Sequence, residues 1–176
     1  KMKKIKIVLM SFLLAGVFSC TTEDLNPALD QNKEANGGIT NVDNLYAVIK
    51  GAYSRMTGSG YYGRDLIVTN EVRTDNCFSN GNSGRFTTQA GFAYSNTTGF
   101  FWDDAYRVIE SANLIINTDL SQLEGDQEYG LHLQGQAYAI RALAHFDLLK
   151  QYGQKHVTGG VTPGGIPYVT TYLSNQ

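Results

Sequence analysis

The stretch from about Gln127 to Tyr152 constrains the fold most. Ala137, Ile140, Ala144 and Leu148 recur at spacings of three and four, with Leu143 and Phe146 beside them. On a 3.6-residue period these positions form one apolar stripe, which a helix buries against a neighbour. The alanines let that neighbour come close, and Gly153 is the expected stop. Two further segments share the period. Leu45, Val48, Ile49, Ala52, Tyr53 and Met56 form one face, with Thr40 and Asp43 as the expected capping box and Gly58 and Gly60 after the end. From about Phe101 to Asn117, Trp102, Ala105, Ile109, Ala112 and Ile116 form another. Sequential helices, each with one apolar face, predict a mainly α protein, an antiparallel helix array.

Between the first two helices lies a long insertion, roughly residues 58 to 100. It is rich in Gly, Asn, Ser and Thr, yet carries Tyr61, Tyr62, Phe78, Phe86, Phe92, Tyr94 and Phe100. A loop of this length is usually functional or disordered, and the aromatics argue against disorder. Asp65 to Thr69 reads as a short strand or the start of another helix. The run from Thr158 to Tyr168 is punctuated by glycine and proline and is expected to be irregular. The chain holds 11 tyrosines and 19 glycines, which suggests recognition or aromatic packing rather than a core of leucine and valine.

The N-terminus is of a different kind. Lys1, Lys3, Lys4 and Lys6 precede an apolar run from Ile7 to Phe18, too short for the roughly 20 residues of a membrane-spanning helix. That is the pattern of a secretory signal, residues 1–19. Val17-Phe18-Ser19-Cys20 resembles a bacterial lipobox, in which Cys20 is lipidated, and Thr21-Thr22-Glu23-Asp24 resembles the acidic export tag of Bacteroidetes surface lipoproteins. A multiply acylated cysteine anchors a protein at about 0.8 kcal/mol per buried methylene, with no transmembrane helix. Residues 20–36 then form a flexible leader, and 37–176 the folded part. If Cys20 is acylated, Cys77 has no disulfide partner. Lys1 ahead of Met2 and the final Ser174-Asn175-Gln176 read as the ends of a fragment.

Little points to chemistry on a ligand. A formal net charge of -2 leaves no nucleic-acid footprint. His132, His145 and His156 lack metal-ligand spacing, so no metal and no cofactor is expected, and His145 is read as filling a helix interface. Asp103 and Asp104 point about 100° apart on a helix, unlike a glycosidase pair, and suit a helix N-terminus. No G-x-S-x-G elbow occurs. The glycines near 159 to 165 lack the Lys-Ser/Thr of a phosphate loop. Asn96-Thr97-Thr98 has the form of a glycosylation acceptor, without weight in a bacterial chain.

Several motifs together carry a resemblance. Gln136 to Gly153 (QAYAIRALAHFDLLKQYG) resembles the E-A-x-F-L-R-A-x-x-Y-F-x-L-x-x-x-Y-G signature of the SusD/RagB family. Gly164-Gly165-Ile166-Pro167-Tyr168 is similar to its G-G-V-P-L segment, and Trp102, Tyr106, Ile109 and Asn113 fit its W-x-x-x-Y-x-x-I-x-x-x-N helix. Asn44 to Arg55 fits its first helix. Gln136, Ala139, His145 and Tyr168 depart from the pattern in ways that affect packing. The resemblance implies a tetratricopeptide-like helix array with long irregular loops. It also implies a surface lipoprotein of the outer membrane that partners a TonB-dependent, SusC-like transporter and captures polysaccharide or oligosaccharide without acting on it. The alternative is a lipid-anchored helical scaffold that binds peptides or proteins.

Sugar capture needs aromatic faces and planar polar groups. In the family the insertion supplies ligand contacts. Asp75, Asn76 and Arg85 are therefore the expected ligand-binding residues, with Phe78 as a stacking platform. Trp102 is read as core and Arg141 as structural. The polar faces around Lys50, Arg55, Arg107 and Glu110 are candidates for the transporter-facing surface.

Overall fold

Each apolar stripe becomes a helix that buries it. The computed structural model describes residues 38–95, 98–153 and 165–172, all within the unit formed by residues 35–176. Cys20 and its leader, Asn96, and the glycine run up to residue 164 lie outside the described residues. The elements are α1 (Val42–Met56), α2 (Asp65–Glu71), α3 (Thr87–Ala90), α4 (Trp102–Asn117), a 3-10 turn (Leu120–Gln122) and α5 (Gln127–Tyr152). The protein is mainly helical, and no strand is found among the described residues. The segment from Asp65 is therefore a helix.

The α1 cap lies one residue later than expected. Asn41, not Thr40, is the N-cap: its Oδ1 accepts from the Asn44 N–H at 2.9 Å, and Asn44 Oδ1 accepts in return from the Asn41 N–H at 3.3 Å. Asn44 Oδ1 also accepts from the Thr40 N–H at 3.0 Å, so one amide satisfies both backbone donors and Asp43 is left exposed. A parallel bridge then ties this end to the α4–α5 connection, with the Val42 N–H donating to Glu124 O at 2.9 Å.

Polar contacts set the helix directions. Gln134 Nε2 donates to Thr118 O and Arg141 Nη1 to Asn113 Oδ1, while Tyr152 packs on Trp102, so α4 and α5 are antiparallel. Arg55 pairs with Asp104 at 3.7 Å, which runs α1 against α4 as well. Leu45, Ile49, Ala52, Ala105, Val108, Ile109, Ala112, Leu133, Ala137, Ala144 and Leu148 form the shared core. The alanines on α4 and α5 keep those two helices close, and theirs is the largest interface.

Departures from the expected stripes are local. Tyr53 is 40% exposed, because its hydroxyl reaches out to donate to Gln136 Oε1 at 3.0 Å. Trp102 is half-buried at the edge of the core, Ile116 is partly buried against it, and Val108 and Ile115, outside the expected stripe, are fully buried. Leu143 and Phe146 lie exposed on α5 with Leu131, Tyr138 and Leu149. Cations shield two of these rings: Arg141 lies 5.2 Å from the Tyr138 centroid and Lys150 5.5 Å from that of Phe146.

His145 fills the interface as expected and holds the return segment. Its Nε2 accepts from the Val169 N–H at 3.2 Å, so the proton sits on Nδ1, which donates to Arg141 O at 2.9 Å. Burial pushes the imidazole below its ordinary pKa, against the bond to Arg141 O, with the Arg141 charge helping. Because the folded pKa is the lower one, the neutral ring contributes stability that is complete above the unfolded value of about 6.5 and declines as pH falls below it. The protection factor of the Val169 amide, its exchange rate relative to an unstructured amide at the same pH, is expected to fall between pH 7 and 5, and His145→Gln is expected to abolish that fall.

Candidate ligand-binding groove

The insertion is moored rather than loose. It leaves α1 through a tight turn, in which a Cβ on Gly63 would meet Gly58 O at 2.7 Å. Tyr61 is fully buried and stacks on Phe101 with centroids 5.3 Å apart. The hydroxyls of Tyr61 and Tyr62 both donate to Asp147 Oδ2, at 2.8 and 2.6 Å. Burial first, then the carboxylate, pushes both phenols well above their ordinary pKa, so they remain donors. One turn along α5, Gln151 Oε1 accepts from Arg73 Nη2 at 2.7 Å. Beside it the Tyr152 hydroxyl accepts from the Phe100 N–H at 2.8 Å. The last turns of α5 thus hold the insertion at its start, middle and end.

Between these moorings the chain forms a shallow groove of about 510 Å³. Arg73, Asp75, Cys77 and Phe78 line one side and Phe92 the other. Phe78 is 82% exposed and Phe92 62% exposed. Phe92 stands out because its backbone is left-handed, at φ 52°, a costly state for a bulky residue. Bonds from Phe92 N–H to Gln89 O and from Ala93 N–H to Thr88 O hold it, with Tyr94 edge-on to the ring. Asp75 has no hydrogen-bond partner among the described residues. Arg73 is fixed from behind by Asn70, Thr69 O and Gln151. Cys77 is a free, exposed thiol.

Asp75 and Phe78, two of the four residues expected from the sequence, therefore line the groove. Asn76 and Arg85 do not. Asn76 donates from Nδ2 to Glu71 Oε2 at 3.1 Å, and the exposed Arg85 belongs to the loop joined by Ser79 Oγ donating to its carbonyl at 3.0 Å. Arg73 and Phe92, which also line it, are not among the four expected residues. The signal for Phe92 was present, as one of the aromatics scattered through a polar loop, but nothing local distinguished it from Phe100, which is half-buried against Tyr152. The groove offers exposed ring faces beside a carboxylate and a guanidinium. That combination has the chemistry a polyhydroxylated ligand requires: ring faces to cover a C–H surface, and planar groups able to bond hydroxyls.

Asp103 and Asp104 do not face each other as an acid–base pair; Asp104 is engaged by Arg55. Among the described residues no cluster of three metal-ligating side chains occurs, and no helix is long and apolar enough to cross a membrane.

Comparison with known proteins supports the motif reading. Residues 24–176 match a SusD-like family described as starch-binding and associating with the outer membrane, a description of binding rather than catalysis. The chain is similar to SusD-like protein P2 of Formosa agariphila, 30% identical over 179 residues. That match takes in 99% of this chain and 32% of the relative, so the chain spans about a third of the curated relative's length. No solved structure matches significantly. With its signature helices packed in order and the whole folded unit covered by the match, the chain belongs to the SusD-like family of outer-membrane-associated binding proteins.

Proposed function

We propose that this chain is the N-terminal part of a cell-surface lipoprotein that captures glycans. It would be anchored in the outer membrane through Cys20 and pass oligosaccharide to a partner SusC-like, TonB-dependent transporter. Residues 1–19 act as the export signal, 20–36 as the leader, and 37–176 as the start of the binding domain. The observation that carries the reading is the pairing of exposed Phe78 and Phe92 with Asp75, unpartnered among the described residues, in a chain whose family is described as starch-binding. Solvent-exposed rings are a liability unless something covers them, and a sugar face does so. Asn76 and Arg85 lie in sequence between residues that line the groove without lining it themselves, and are assigned outer contacts to a longer glycan.

The test is native electrophoresis of the full-length protein, without its lipid leader, through gels containing starch and other polysaccharides. The same mixtures are assayed for new reducing ends. Retardation without new ends is expected. Asp75→Ala with Phe78→Ala is expected to weaken binding by about tenfold, roughly 1.4 kcal/mol. Unchanged retardation in that variant removes the groove from the reading. A second reading, a scaffold for peptides or proteins, draws on the apolar side chains exposed on α5 at Leu131, Tyr138, Phe146 and Leu149. Co-purification of a partner chain by a protein that binds no glycan would favour it.

A further inference from the structure

A second groove, of about 630 Å³, lies along α4 and is larger than that of the insertion. Its floor is aromatic. Trp102 and Tyr106, one helical turn apart, have ring centroids 4.9 Å apart at 51°. Both rings are fixed: Tyr152 meets Trp102 edge-on at 4.9 Å, and the Tyr106 hydroxyl donates to Pro167 O at 2.8 Å. The return segment thereby supplies a wall.

Above this floor stand Asp103, Arg107 and Glu110, spaced along one side of the helix. None of their side chains has a hydrogen bond or ion pair among the described residues. Asp104, the next residue along, turns away to Arg55 instead. Polar groups with free bonding capacity over oriented rings are what a pyranose requires. The carboxylates accept from adjacent hydroxyls, the guanidinium donates, and the rings cover the C–H face. The volume lies within the roughly 300–1,000 Å³ of small-ligand sites. Charge narrows the ligand further. Arg107 sits between two carboxylates, so an anionic sugar meets more repulsion than attraction, whereas a neutral one meets none.

We propose that this groove is a second glycan site, taking neutral hexose units, with Arg107 and Glu110 as ligand contacts. The proposal rests on the glycan reading above and deepens it. Two sites on one chain would grip one polysaccharide together, raising apparent affinity with no new contact at either.

The experiment compares the full-length protein, without its lipid leader, with three variants in gels containing starch, a neutral glucan, or alginate, an anionic one. The variants are Arg107→Ala/Glu110→Ala, Asp75→Ala/Phe78→Ala, and the four substitutions combined. Arg107 and Glu110 are exposed, so the first variant is expected to keep the parental melting temperature while losing about tenfold in affinity for starch. The insertion variant is expected to keep a residual retardation that the combined variant loses. Parental retardation of Arg107→Ala/Glu110→Ala overturns the second site and leaves the proposed function standing. So does complete loss of binding in the insertion variant alone, or loss of transporter co-purification at Arg107 and Glu110 without loss of glycan. Stronger retardation by alginate than by starch overturns the assignment to neutral sugars. A parent that binds no glycan removes both readings.

Discussion

Phe101→Ala is expected to destabilise the folded unit by about 3–5 kcal/mol, the range for emptying a buried aromatic site. Phe101 is 1% exposed. It lies at the entry to α4, stacked on Tyr61 with planes 10° apart and tilted against Tyr152 at 5.8 Å. The substitution therefore removes contacts from α4, from α5 and from the root of the insertion together. Urea unfolding of the full-length protein measures the loss. Phe78→Ala is the natural control. The same side chain at 82% exposure buries almost nothing, so its unfolding midpoint is expected to stay within experimental error while glycan binding falls. A small loss at Phe101 would mean that the insertion does not depend on this stack.

Asp147→Ala is expected to cost about 3 kcal/mol. One carboxylate oxygen accepts from both Tyr61 and Tyr62, and hydrogen bonds to a charged group contribute about 1.5–3 kcal/mol each. Water reaches the half-buried Tyr62 and recovers part of its bond, which sets the sum below the full pair. Tyr61, fully buried, recovers nothing. Asp147→Asn keeps an acceptor and is expected to fall between the two. The moorings at Gln151 and Tyr152 lie on the same end of α5, so the damage should spread along the insertion. Proteolysis near Tyr62 should quicken, and retardation by starch should weaken even in protein whose helices still give native circular dichroism. Equal proteolysis rates in Asp147→Ala and parent would show that the other two moorings suffice.

Much of the helical frame is legible one segment at a time. The period of Ala137, Ile140, Ala144 and Leu148 carries α5, whose bounds, Gln127 to Tyr152, are those expected. Local periodicity suffices there because burial of one helix face repeats every few residues. Caps are less certain by sequence, since Thr40 and Asn41 are both good caps and the choice depends on which partner amide can return the bond. Aromatic residues are less legible still. Phe78, Phe92, Phe100 and Phe101 are alike in the sequence, yet Phe101 is core, Phe100 is half-buried and the other two line a groove.

The sequence by itself determined the helices, their apolar faces, the length of the insertion and, through its motifs, the family. The tertiary structure alone decided which rings face outward, that Asp147 clamps two tyrosines, and that Arg73 and Phe92 share a groove with Asp75 and Phe78. The physical reason is distance along the chain. The Tyr61–Asp147 and Arg73–Gln151 bonds join residues 86 and 78 positions apart. No local period encodes such a pairing, and it exists only once α1, α4 and α5 have packed and brought the end of α5 beneath the insertion.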